Sequence, residues 1–177
     1  MFPVRVDTVI TNGRIIDGTG APERRGDIAI DGGRIVSVPG AVTAELVLDA
    51  AGLVVAPGFI DIHSHGDLVL AWPSERRLSL LEGRLAQGIT TEVVGNCGLG
   101  AAPLFGHGVE LLPQINGWMT PATFDWNWES LDGYFAHLEG LGLPVNVGSL
   151  VPHGALRLGA AHLYSGETDE TDRKSVV

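Results

Sequence analysis

Residues 57–65 read Pro57-Gly58-Phe59-Ile60-Asp61-Ile62-His63-Ser64-His65. Pro57-Gly58 punctuates the chain, and Phe59 to Ile62 is a short apolar run of strand length. Two histidines follow, separated by one residue. Residues two apart in a strand point the same way, so both imidazoles converge at the strand's end. Such a pair suits a metal ion, because zinc takes imidazole nitrogen at roughly 2.0–2.1 Å and thiolate sulfur at roughly 2.3 Å. Two polar residues in a turn after a strand give the same pattern. The surrounding elements must decide.

Downstream, strand and helix patterns alternate. Leu78, Leu81 and Leu85 recur at helical spacing, and Gln87-Gly88 stops that helix. Ile89 to Val94 is rich in β-branched residues and reads as a second strand. Cys97 follows it, within Gly95-Asn96-Cys97-Gly98. A long loop from about 95 to 128 carries Trp118, Trp126 and Trp128, which either line a cleft or pack as a lid. Leu131, Tyr134, Phe135 and Leu138 then repeat at i, i+3, i+4 and i+7, with Ser130 as N-cap and Gly140 and Gly142 as the end. Pro144 to Val151 is a third strand. The fold class is therefore α/β, with parallel strands joined by right-handed crossovers.

Sites on such sheets form at the carboxyl ends of the strands. His63, His65 and Cys97 share that rim and are the candidate metal ligands. A free cysteine is also commonly a buried small hydrophobe, but the flanking Gly and Asn favour a tight turn. His153, just past the third strand, is a candidate substrate or rim residue. His107, His137 and His162 read as surface or loop residues. Gly98-Leu99-Gly100-Ala101-Ala102-Pro103 imitates a dinucleotide fingerprint, but proline replaces the last glycine and no helical pattern starts there. Nucleotide binding is not expected.

Upstream, residues 1–57 read as a small antiparallel β unit. Val4, Val6, Thr8 and Ile10 alternate, Asn12-Gly13 signals a hairpin turn, and Arg14 to Asp17 resumes the strand. Asp27 to Ile30 and Arg34 to Val38 flank a second turn at Asp31-Gly32-Gly33, and further strands fall around Leu46–Leu48 and Leu53–Val55. At the other end, residues 159–177 are polar without a core-forming period and are expected to be disordered. The domain reading is 1–57, a β segment; 58–158, βα units; 159–177, a tail.

Composition narrows the function. The chain has 177 residues, 45% of them hydrophobic, so it is not a disordered protein. No apolar run approaches the roughly 18 residues of a membrane span, and no basic-then-apolar leader opens the sequence. Eleven basic against 21 acidic residues give a net charge of −10, which argues against a nucleic-acid surface. A lone cysteine makes no internal disulfide, and a reducing, cytoplasmic setting is expected. The length is short of the roughly 250 residues of a complete (β/α)8 barrel.

These motifs resemble the opening of the amidohydrolase superfamily. Asn12 to Gly20, Pro57 to His65 and Gln87 to Gly98 carry the likeness. The Asn96-Cys97-Gly98 step and the Gly148–Arg157 segment resemble, more narrowly, the N-acyl-D-amino-acid deacylases, or D-aminoacylases. The resemblance covers about residues 5 to 158. It implies the N-terminal part of a metal-dependent (β/α)8 TIM barrel, preceded by a small β-sandwich segment, with the barrel incomplete. It implies zinc held by His63 and His65, with Cys97 also binding or bridging metal. Related hydantoinases and dihydroorotases use a carboxylated lysine as bridge, and here no lysine precedes Lys174. The implied reaction is hydrolysis of the amide of a small N-acyl amino acid by metal-activated water. The family's aspartate acid/base and two further zinc histidines lie on later barrel strands, so the catalytic residue is expected beyond this chain. The chain alone is then expected to be inactive and to need the remaining barrel as partner. The alternatives are a non-catalytic remnant or interaction fragment of the same fold, and a cyclic amidase of the dihydroorotase or hydantoinase kind.

Overall fold

The computed structural model of the chain describes residues 3–119 and 124–160. Its internal contacts divide after Pro57 into two compact units.

The first unit is a five-stranded sheet. Its strands are β1 (Val4–Ile15), β2 (Arg24–Asp31), β3 (Arg34–Val36), β4 (Val42–Asp49) and β5 (Val54–Val55). The order is β3-β2-β1-β4, with β5 pairing the end of β1. Two expectations are corrected here. Asn12-Gly13 is not a hairpin turn, because β1 runs straight through it. Ile10 faces Ile28 and Gly13 faces Gly26, so β1 carries one extra residue there, a β-bulge. Asn12 takes a left-handed φ of 61°, and its N–H donates to Asp27 Oδ1 at 2.9 Å. Both flanks of the dipeptide stay paired, so the left-handed residue bends the strand without reversing it. The unit is also not wholly antiparallel. β1 pairs antiparallel with β2 but parallel with β4 and β5. Alternation sets which residues share a face; it carries no information on strand direction.

The second unit holds β6 (Phe59–Asp61), α1 (Asp67–Leu70), α2 (Ser74–Ala86), β7 (Ile89–Val94), α3 (Gly108–Ile115), α4 (Leu131–Leu141), β8 (Asn146–Ser149) and α5 (His153–Ala160). β6, β7 and β8 form a parallel sheet in that order. α2 and α4 are the crossovers, as the alternation requires. Ser130 caps α4, its Oγ accepting the Gly133 N–H at 3.0 Å. Gly140 lies inside α4, and the helix ends at Gly142 with φ 61°. The core gathers Leu68, Leu70, Leu81, Val94, Leu104 and Leu112 around Trp128, Tyr134 and Leu138.

Three local readings change. The expected loop of 95–128 contains α3, a short helix with Pro113 inside and Leu112 buried. Trp128 is a core residue, its indole N–H donating to Ala101 O at 2.7 Å, whereas Trp118 is exposed. His137 is half-buried on α4, with Nε2 3.3 Å from Ala71 O and its ring 5.0 Å from that of Trp128. Gly159 and Ala160 close α5. The rest of the expected tail, His162 included, lies outside the described residues. Among the described residues no helix is long and apolar enough to cross a membrane.

Candidate metal centre

β6 ends at Asp61, so His63 and His65 lie past the strand and not within it. A turn therefore brings them together. The His63 N–H donates to Asp61 Oδ1 at 3.1 Å, and the two imidazole centroids are 5.6 Å apart. Cys97 enters from the neighbouring strand, in the 3-10 turn Asn96–Gly98 that follows β7. Backbone geometry there is unusual. Gly95, Cys97 and Gly98 all have positive φ, at 79°, 57° and 74°. For Gly95 this costs nothing. For Cys97, which carries a Cβ, the left-handed region costs about 1–2 kcal/mol.

That conformation directs the thiol to the histidines. Cys97 Sγ lies 3.3 Å from His63 Nε2, and one donor atom from each of His63, His65 and Cys97 lies within 4.8 Å of the others. Zinc bond lengths in a tetrahedron place nitrogen and sulfur ligands about 3.6 Å apart. The His63–Cys97 spacing is about 0.3 Å shorter than that value, and two imidazoles with one thiol are a donor set zinc accepts. Among the described residues these three are the cluster that could hold a metal ion, and all three are exposed. His153 is not part of it. It opens α5, which packs beside the Cys97 turn: a Cβ at Gly98 would sit 3.2 Å from Gly154 N. Its own side chain is exposed.

Sequence reasoning passed over the polar residues beneath these three candidate ligands. Ser64, Asp67, Glu92 and Asn96 are all buried. Asp67 Oδ1 accepts the Gly95 N–H at 2.8 Å, and Asp67 O accepts the Tyr134 hydroxyl at 2.6 Å. Burial pushes the Asp67 carboxyl above its ordinary range, while its own and the Gly95 N–H groups and the nearby His65 pull the other way. Burial likewise holds the Tyr134 phenol well above 10, with the charges of Asp67 and Glu92 adding to it. One signal in the sequence does point here: Glu92 is the only charged residue in Ile89–Val94, a run otherwise of β-branched residues.

Residues 46–171 match the model of the amidohydrolase family. The chain belongs to that family. Within it, the chain is 41% identical over 160 residues to the N-acyl-D-glutamate deacylase of Alcaligenes xylosoxydans xylosoxydans, covering 88% of this chain and 30% of that one. It is 34% identical over 167 residues to a D-aminoacylase of the same organism, covering 93% and 33%. Among solved structures it is similar to the N-acyl-D-glutamate deacylase of Bordetella bronchiseptica, which is complexed with zinc and a phosphonate inhibitor. That match has a TM-score of 0.75 and 38% identity and covers 97% of this chain and 34% of the other. A D-aminoacylase with a binuclear metal centre matches at TM-score 0.77 and 30% identity, covering 96% and 34%. The chain thus has the α/β fold of the D-aminoacylases and spans about a third of the length of these amidohydrolases.

Proposed function

We propose that this chain is the zinc-binding N-terminal part of an amidohydrolase that cleaves N-acyl-D-amino acids to a D-amino acid and a carboxylate. The observation that carries the reading is the convergence of His63, His65 and Cys97 from two adjacent strand ends, within 4.8 Å. The names of its relatives, deacylases of N-acyl-D-glutamate and N-acyl-D-aspartate, support the substrate class. His63 and His65 would hold zinc through neutral imidazole nitrogens. Cys97 would hold it as thiolate and so supply the anionic ligand that a carboxylated lysine supplies elsewhere. A reducing, cytoplasmic setting suits a thiolate ligand. When bound, zinc lowers the pKa of a coordinated water toward about 7 and polarises the acyl carbonyl.

Turnover also needs an acid–base group to take the proton from water and deliver it to the leaving amine. We assign that group to the two thirds of the relatives' length that this chain does not span, and we expect the 177 residues alone to be inactive. The sheet itself supports a partner. Phe59 and Ile60 are adjacent on β6 and so face opposite sides, yet they are 65% and 61% exposed. The remaining strands and helices of a barrel would cover both sides.

The test is zinc content and affinity of the purified chain beside Cys97→Ala and the double variant His63→Ala/His65→Ala. The wild type should retain zinc that both variants lose. Equal zinc in all three would overturn the assignment, and robust hydrolysis of an N-acetyl-D-amino acid by the chain alone would overturn the expected inactivity.

A further inference from the structure

Beneath the three ligands lies a buried polar cluster that the metal itself does not need. Glu92 is 0% exposed. Its carboxylate accepts Arg84 Nη1 at 2.8 and 2.7 Å and the Ser64 hydroxyl at 2.6 Å. Arg84 comes from the last turn of α2 and keeps a third of its side chain in contact with water. A buried ion pair of this kind is weak evidence for stability, since well-packed apolar residues often do as well or better. Its place in the fold is more telling.

Ser64 is the residue between His63 and His65, and each of its polar atoms is held. Its N–H donates to Val93 O at 3.0 Å. Its carbonyl accepts Asn96 Nδ2 at 3.2 Å, and its Oγ accepts the Gly66 N–H at 3.1 Å while donating to Glu92. Asn96, next to Cys97, bridges Ser64 O and Val93 O. Asp67 completes the tie by accepting the Gly95 N–H. Four of these bonds, Ser64 N–H to Val93 O, Ser64 Oγ to Glu92, Asn96 Nδ2 to Ser64 O and Gly95 N–H to Asp67, thus run between the segment bearing the histidines and the segment bearing the cysteine. The cluster also excludes bulk: a Cβ on Gly66 would lie 2.6 Å from Glu92 Oε2 and 2.9 Å from Arg84 Nη1.

We propose that Ser64, Glu92 and Arg84 are positioning residues for the metal centre: the buried ion pair fixes the Ser64 hydroxyl, and Ser64 fixes the histidines against Cys97. This rests on the zinc reading above. None of the three belongs to the donor cluster of His63, His65 and Cys97. They act by setting the donor separation before metal arrives, so that binding loses less freedom and the thiolate–metal bond keeps one geometry. Groups that orient ligands in this way are typically worth 10- to 100-fold in metal affinity.

The test uses Ser64→Ala, which removes the hydroxyl and leaves Glu92 with Arg84, and Glu92→Gln, which keeps shape and one acceptor but removes the charge. Three measurements are made on the full chain: zinc affinity by competition with a chromophoric chelator, the cobalt–thiolate charge-transfer band after loading with cobalt, and thermal unfolding in excess chelator. The expected result is affinity lower by roughly 10-fold or more in both variants, with a shifted or weakened cobalt–thiolate band, while each stays folded at the assay temperature. Unchanged affinity and an unchanged band would overturn the proposal, whatever happens to the melting temperature. If both variants fail to fold, the cluster is structural and the proposal also falls. Failure of the zinc reading looks different: the wild type itself would not bind, or would bind equally without His63, His65 and Cys97.

Discussion

Cys97 offers the sharpest test, because its backbone strain and its proposed ligand role predict opposite rankings of wild type and Cys97→Gly. At φ 57° and ψ 19° it sits in the left-handed region. A residue with a Cβ is disfavoured there by about 1–2 kcal/mol, and glycine is not. Glycine gives back roughly 0.4–1 kcal/mol by loosening the unfolded chain. The thiol is exposed, so truncating it uncovers little core. Cys97→Gly should therefore be more stable than Cys97→Ala by about 1 kcal/mol, or roughly 4 °C in the melting temperature. That ranking applies in excess chelator.

The same strain puts Cys97→Gly above wild type in chelator, and with zinc that order of wild type and Cys97→Gly should invert. A ligand that binds only the folded state stabilises it by about 2.7 kcal/mol at 100 times its dissociation constant. The intact donor set gains that amount, and the two variants lose most of it. Wild type should then melt above Cys97→Gly. Tryptophan fluorescence is the right probe, since Trp72, Trp118, Trp126 and Trp128 all follow residue 57 and report on the second unit alone. If Cys97→Gly is no more stable than Cys97→Ala in chelator, the strain argument fails. A wild type that still melts below Cys97→Gly with zinc present would remove Cys97 from the proposed ligand set.

Two other substitutions probe the supporting structure. Leu78 and Leu81 look alike in the helical repeat, but Leu81 is 0% exposed and Leu78 is 49% exposed. Leu81→Ala should cost about 2–5 kcal/mol and Leu78→Ala about 0.5 kcal/mol or less, read from urea unfolding; equal losses would contradict the packing described. Tyr134→Phe removes the buried bond to Asp67 O and should cost about 1–2 kcal/mol at neutral pH. Because the folded phenol titrates above its unfolded value of about 10, the unfolded chain releases its proton first. The stabilisation from Tyr134 is thus complete below pH of about 10 and declines above it, so the gap between wild type and Tyr134→Phe should narrow between about pH 8 and about pH 10.5. A constant gap would refute the assigned burial.

Much of this was legible in the sequence where one local rule sufficed. The Leu131–Leu138 repeat and Ser130 gave α4 and its cap, and the β-branched run gave β7, because periodicity and capping act within a few residues. What failed depended on partners elsewhere in the chain. Asn12-Gly13 has the chemistry of a reversal, but β2 pairs with both of its flanks and turns it into a bulge. α3 was hidden because Gly108 and Pro113 punctuate eight residues of which Leu112 is deeply buried. His137 has no local feature that announces a carbonyl 66 residues away, at Ala71. At the candidate metal centre His63, His65 and Cys97 stood out by residue type. Ser64 and Asn96 did not, since their role lies in bonds to each other's segments.

Register explains why the donors and their support meet at all. Phe59 faces Ile89 but Ile60 faces Thr91, so β7 spends one extra residue, Thr90, against β6. Past that irregularity Asp61 stands opposite Glu92. In an unbroken register Asp61 would face Thr91, and Glu92 would be displaced by one residue of about 3.3 Å, with its side chain on the other face relative to β6. The same shift draws the whole of β7 along β6 and so sets how far past the strand ends Cys97 and the histidines fall. The bulge at Thr90, the buried Glu92 and the strained turn at Cys97 are thus successive parts of one alignment. At the end of that alignment the Cys97 thiol stands 3.3 Å from the His63 imidazole.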